Sequence, residues 1–117
     1  MPSNRQLLIE TYERLKDPAH WNGDGNFQRG KDCIVTALFN QCVEHSTYRD
    51  VSNRGARRHI IRAIRETAHV PKACINAREG IDIINWNDAK ETTHADVVAV
   101  LRRAIKTASW PWQTVPA

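Results

Sequence analysis

The sequence predicts a mainly α protein, a compact bundle of four to five helices, and three observations carry that prediction. Apolar residues recur at helical spacing in four separate segments, each segment opens on a capping residue or closes on a helix breaker, and no two strong strand patterns exist to pair with one another. The 117 residues, 41% of them hydrophobic, match one domain with its own core, so residues 1–117 are expected to form a single helical domain with 109–117 as an extended tail.

The first helix is expected from Asn4 to Lys16. Ser3 can cap it, Leu7, Leu8, Tyr12 and Leu15 fall on one side, and Asp17-Pro18 stops it because the residue before proline is pushed out of the α region. A Gly/Asn/Asp-rich stretch from Asp17 to Lys31 follows, with Gly23-Asp24-Gly25-Asn26 between Trp21 and Phe27. Glycines supply tight turns and the flanking aromatics can pair across strands, so one short β-hairpin is allowed near residues 20–30. The alternation of Asn22, Asp24 and Asn26 resembles a calcium loop, but Phe27 stands where such a loop needs glycine.

Asp32 is the expected cap of a second helix reaching Glu44 or His45. Ile34, Leu38 and Val43, with Val35, Phe39 and Cys42, make nearly its whole circumference apolar, which predicts a buried central helix. Ser52 or Asn53 is expected to cap a third helix from Arg54 to Ala68, with Ala56, Ile60, Ile61, Ile64 and Ala68 inward. Val70-Pro71 ends it, and a short helix is expected from Pro71 through Ala77. The β-branched run Ile81 to Trp86 suits a strand, but an unpaired strand leaves its backbone unsatisfied, so a helical turn on the core is preferred. Thr93 and Asp96 have the spacing of a capping box, opening a last helix with Val97, Val98, Val100, Leu101, Ile105 and Ala108 as its buried stripe. Trp110-Pro111-Trp112 ends it, and the two tryptophans are expected to fold back over the helices.

The chain's layout resembles a family of short actinobacterial and phage proteins that carries only the label of a domain of unknown function. The resemblance rests on Cys33-Ile-Val-Thr-Ala-Leu38 opening a hydrophobic helix, and on a closing block of Ile84-Asn-Trp86-Asn87-Asp88, Thr93-His-Ala-Asp96-Val97 and Leu101-Arg-Arg-Ala-Ile105. Thr36 stands where the family's pattern has glycine. The resemblance implies a mostly helical fold and an actinobacterial or phage origin, and it implies no chemistry.

Charge supplies the strongest hint of function. The net charge is +4, yet Arg49 to Lys72 alone holds seven Lys/Arg against two acids, a net of +5, and the other residues together carry −1. Within it Arg54, Arg58, Arg62 and Arg65 follow one face of the third helix at spacings of four, four and three, with Arg57 beside them. Guanidinium groups grip phosphates and carboxylates in a forked geometry, so the expected function is a small non-catalytic binding or regulatory protein whose partner is an acidic protein surface or a nucleic acid. The opposing expectation is a solvated face paired with acids such as Glu10, Glu13 or Glu44.

The alternative is a cysteine-nucleophile hydrolase or amidase. Cys33 at a helix start sits where the helix dipole favours thiolate, and Asp32-Cys33 there resembles papain-like peptidases and cell-wall amidases. His94 is one of the histidines that would have to serve it, with His45, His59 and His69, and the chain lacks the following sheet on which those enzymes carry theirs. Cys42 and His45 could face one metal ion, but with no paired ligand motif neither metal nor cofactor is expected. Trp86, Asn87 and Asp88 are expected to anchor the connection that leads into the Thr93 helix. Three cysteines without a CxxC pair, no apolar block at the amino terminus and no stretch of membrane-spanning length predict a cytoplasmic protein with no membrane association.

Overall fold

In the computed structural model, residues 2–45, 50–66 and 79–117 are described, and among them the secondary structure is helical. Five helices follow one another: α1 (Asn4–Leu15), α2 (Ile34–Glu44), α3 (Asp50–Glu66), α4 (Glu79–Asp88) and α5 (His94–Thr107), with a single 3-10 turn at Pro18–His20. The short helix expected between Pro71 and Ala77 lies outside the described residues.

All five helices feed one cluster of buried side chains. It includes Leu7, Leu8 and Leu15 of α1, Ile34 and Leu38 of α2, Ile60 and Ile64 of α3, Ile83 and Trp86 of α4, and Val97, Leu101 and Ile105 of α5. Helix α5 packs on both α1 and α3, while α2 and α4 lie together. None of the helices searched among the described residues is long and apolar enough to cross a membrane.

The expected caps hold at both ends of the chain. Ser3 accepts a hydrogen bond from Gln6 N at 3.0 Å and starts α1. Thr93 Oγ1 accepts from Asp96 N at 3.2 Å while Asp96 Oδ2 accepts from Thr93 N at 2.9 Å, the reciprocal pair that satisfies two free amides of α5.

Five local expectations are corrected. Among the described residues there is no hairpin between 20 and 30, only an isolated bridge of Trp21 with Asp32. The reason is competition from side chains: Asn22 Oδ1 accepts from Asp24 N at 3.1 Å and Asp24 Oδ1 from Asn26 N at 2.9 Å, so the turn's amides are satisfied without a facing strand. Helix α2 is capped by Cys33 instead of Asp32, whose carboxylate is drawn to Arg14 Nε at 3.2 Å. The same helix is not buried all round, because Phe39 and Val43, four apart, are each 46% exposed on the side turned from its neighbours. Helix α3 begins at Asp50, so Ser52 and Asn53 lie in its first turn, where polar residues cost a helix little. The run Ile81 to Trp86 belongs to the ten residues of α4, a longer helix than the single turn expected.

The carboxy-terminal tail lies back along α1 and α5, but its tryptophans do not. Arg5 donates from Nε to Ser109 Oγ and from Nη2 to the Thr114 carbonyl, both at 2.9 Å, Arg102 donates to the Pro116 carbonyl, and Val115 packs on the core. Trp110 and Trp112 remain 65% and 76% exposed and stack on each other with ring centroids 5.6 Å apart. Each ring thereby covers one face of the other, which is how they avoid needing the core.

Thr93→Ala removes one half of the α5 capping box and is expected to lower stability by about 1 kcal/mol. Urea unfolding checks this, and an unchanged midpoint would mean that the first turn of α5 is held by packing alone.

Candidate partner-binding surface

The inward residues of α3 are Ala56, Ile60, Ile61, Ala63 and Ile64, which leaves Arg54, Arg58, Arg62 and Arg65 exposed on the opposite side, with Arg57 half-buried at its flank. From Arg54 to Arg65 the row extends about 16 Å along the helix. Arg62 Nε donates to Glu66 Oε1 at 3.1 Å, and Arg103 Nε of α5 donates to Glu66 Oε2 at 2.7 Å. The Arg103 hydrogen bond, with Arg62 adding to it, holds the Glu66 carboxyl below its usual range. Arg54 and Arg65 have no acidic partner among the described residues. Two of the three acids expected to neutralise this face are engaged elsewhere: Glu10 accepts from His45 Nε2 at 2.8 Å and Glu13 from Lys16 Nζ at 2.6 Å.

Arg103 is the member of this surface that sequence reasoning missed. Its position near the carboxy-terminal end of α5 suggests only a favourable interaction with the helix dipole; the packing of α5 on α3 is what carries it to Glu66. Its neighbour Arg102 is turned away, with its guanidinium 5.9 Å from the centre of the Tyr12 ring.

His59 sits between the basic face and α5. Thr107 donates its hydroxyl to the Ala104 carbonyl at 3.0 Å, so at 3.0 Å from His59 it acts as acceptor and His59 carries its proton on Nδ1. Burial, with Arg62 nearby, pushes the His59 pKa down from its ordinary 6.5. A histidine whose pKa is lowered by folding binds fewer protons folded than unfolded, so its contribution is complete above about 6.5 and is lost as pH falls through the interval below that value. Replacing His59 with Gln is therefore expected to flatten the dependence of thermal midpoint on pH between about 7 and 5. Parallel curves for the two proteins would remove His59 from the acid sensitivity.

Among the described residues Cys33 and His94 are not brought together. Cys33 is half-buried, and its Sγ accepts from Thr36 N at 3.5 Å and touches Thr36 Oγ1 at 3.3 Å, a local use of sulfur as a helix cap. Thr36, which stands in place of the glycine of the family pattern, thus bonds the sulfur through both backbone and hydroxyl. His94 donates from Nε2 to the Leu15 carbonyl at 2.7 Å and tilts against the Trp21 ring at 5.8 Å. It lines an open cleft of about 460 Å³ with Trp21, Asn22, Asp24, Lys31 and Lys90, and Cys33 is not in that lining. Among the described residues no three His, Cys, Asp or Glu side chains group as metal ligands; His69 and Cys74 lie outside them.

Trp86, Asn87 and Asp88 are the last turn of α4, not a connecting loop. Asn87, fully buried, accepts at Oδ1 from Trp21 Nε1 at 2.9 Å and from Ile34 N at 3.2 Å. Its Nδ2 donates to the Asn22 carbonyl at 2.8 Å and to Asp88 Oδ1 at 2.9 Å. The anchor therefore acts chiefly on the Gly/Asp loop and on the start of α2; the approach to α5 is tied separately, by Thr92 Oγ1 donating to the Trp86 carbonyl at 2.6 Å. Two glycines let the loop sit this close. A Cβ at position 23 would run into the benzo edge of Trp21, and Gly25, at φ +79°, brings its backbone beside the Asp88 carboxylate.

These features define a mainly helical protein, with five helices among the described residues, a basic face over α3 and α5 and a fully bonded asparagine fixing its polar end. The chain belongs to the family of unknown function DUF6197, which it matches over residues 1–107. That agrees with the resemblance carried by the Cys33 helix and the closing block. No curated protein and no solved structure matches the chain.

Asn87→Ala leaves the Trp21 indole, the Ile34 amide and the Asn22 carbonyl without their buried partner, and is expected to cost at least about 2 kcal/mol. Chemical denaturation measures it. A loss below about half that figure would show that water takes over the asparagine's bonds.

Proposed function

We propose that the chain is a small non-catalytic binding protein that holds an acidic partner, a nucleic acid or an acidic protein surface, on the basic face of α3 widened by Arg103. One observation carries the reading: four exposed arginines lie along a single helix face, and a fifth reaches the same patch from α5, with Glu66 clamped between two of them. Preorganised guanidinium groups in a row suit phosphates or carboxylates arranged along a chain, and opposite potentials speed encounter as well as holding the complex. Cys33, which is in no disulfide, suits a cytoplasmic setting, and the resemblance of the closing block supports an origin in an actinobacterium or one of its phages.

The sharpest test uses the two arginines without an acidic partner. Arg54→Glu with Arg65→Glu is expected to abolish binding to the partner captured from the native host while moving the thermal midpoint little, since no described ion pair is broken. Glu66→Gln is expected to act in the opposite direction and strengthen binding by releasing Arg62 and Arg103. Full binding by the arginine variant, or a large loss of its stability, would make these side chains structural.

A further inference from the structure

Among the described residues the basic face has no aromatic side chain of its own, but the fold brings one pair to its end. At the amino-terminal half of α3 the side chain of Asn4 lies over Gly55, and His59 bonds to Thr107 at the end of α5. Arg5, next to Asn4, bonds to Ser109 and to the Thr114 carbonyl. The start of α1, the Arg54 to Arg58 half of α3 and the end of α5 with its tail therefore meet at one end of the bundle. Trp110 and Trp112 stand there, three and five residues beyond Thr107.

The tryptophans are displayed, not merely left over. Gln113 Oε1 accepts from Trp110 N at 2.7 Å, and Gln113 N donates to the Trp110 carbonyl at 2.9 Å, closing the turn 110–113 on itself. Arg5 and Arg102 pin the tail on the far side of that turn. The two rings are held within 4° of parallel. Each has one face on its neighbour, so the pair offers flat outer faces to solvent at the end of the bundle where α3 carries Arg54 and Arg58.

From this juxtaposition we infer that the Trp110 and Trp112 pair is a base-stacking platform and that the occupant of this end of the molecule is a single-stranded nucleic acid. The inference rests on the functional reading above and narrows its partner. Unpaired bases present π-faces that stack on indoles irrespective of sequence, while the adjoining backbone supplies the phosphates that Arg54 and Arg58 face. A duplex keeps its base faces within the stack, and a carboxylate-rich protein uses the arginines but has no need of a planar aromatic pair. A lipid surface is the competing user of exposed tryptophans, but it takes indoles at interfacial depth beside an apolar helix face. Here the rings are locked against one another on a tail whose flanking bonds go to arginines.

The probes are a labelled oligodeoxythymidine of about 12 nucleotides, within the usual site size of one small domain, its duplex with oligodeoxyadenosine, polyglutamate, and vesicles rich in phosphatidylserine. Anisotropy is expected to show tighter binding to the single strand than to the duplex, weakening between about 50 and 200 mM salt. Trp110→Ala with Trp112→Ala is expected to lose about tenfold or more of single-strand affinity and to leave duplex binding unchanged. Arg54→Glu with Arg65→Glu should lose both. Equal affinity of the tryptophan variant and the parent for the single strand overturns the platform. So does binding to polyglutamate without the oligonucleotide, which leaves the wider reading intact, and so does tryptophan-dependent binding to vesicles alone. Binding to none of the four probes overturns both readings.

Discussion

The fold depends on one buried amide. Asn87 has two acceptor sites and two donor hydrogens, and all four are used, by the Trp21 indole, the first amide of α2, the Asn22 carbonyl and its neighbour Asp88. No apolar residue of similar volume could take its place, because three of those partners would remain in the interior without water or protein to bond them. Through this single side chain the end of α4 fixes where the Gly/Asp loop leaves α1 and where α2 begins. The cleft beside His94 follows from the same constraint, since its wall is the Trp21 ring that Asn87 orients.

Away from this amide the fixing is ionic and peripheral. Arg5 and Arg102 bind the tail by backbone carbonyls, and Glu66 joins Arg62 to Arg103. These groups are partly or largely in water, where each contact contributes little to stability and is screened by salt. Surface arginines can therefore be spent on geometry. The contrast is one of burial: the amide fixes the backbone from within, while the ionic contacts lie at the surface.

How much of this is legible in the sequence depends on the range of the interactions. Local chemistry reads well. The Ser3 cap, the Thr93 and Asp96 capping box and the apolar stripes of α1, α3 and α5 are set by neighbours within four residues, and they stand where spacing puts them. The Gly/Asp loop reads badly because two satisfactory solutions exist for its backbone amides, a facing strand or the side chains of Asn22 and Asp24. Nothing within the loop decides between them; the decision comes from Asn87, about 65 residues away, which fixes the Trp21 ring and the Asn22 carbonyl. Helix α2 is a failure of another kind. Its apolar residues cover nearly the full circumference, and periodicity cannot say which of two hydrophobic faces the neighbouring helices will leave open. The answer, Phe39 and Val43, follows from where α1 and α4 pack.

The candidate surface shows the same division. Four of its arginines are visible as a row because they share one helix, whereas Arg103 and the tryptophan pair join it only through the packing of α5 against α3 and of the tail against α1. Net charge located along the chain points to α3 but overstates the independence of its arginines. Arg62 is already committed to Glu66, and Glu66 in turn to Arg103, so the effective charge of the face depends on whether a partner's anions can displace one carboxylate. That competition sets a threshold. On the proposed function a single anion can pair with Arg54 or Arg65 and leave the Glu66 clamp closed, whereas a polyanion long enough to span both competes for Arg62 between them. On that proposal the spacing of the arginines suits long, repeating anions, and Glu66 is the group with which such a partner competes.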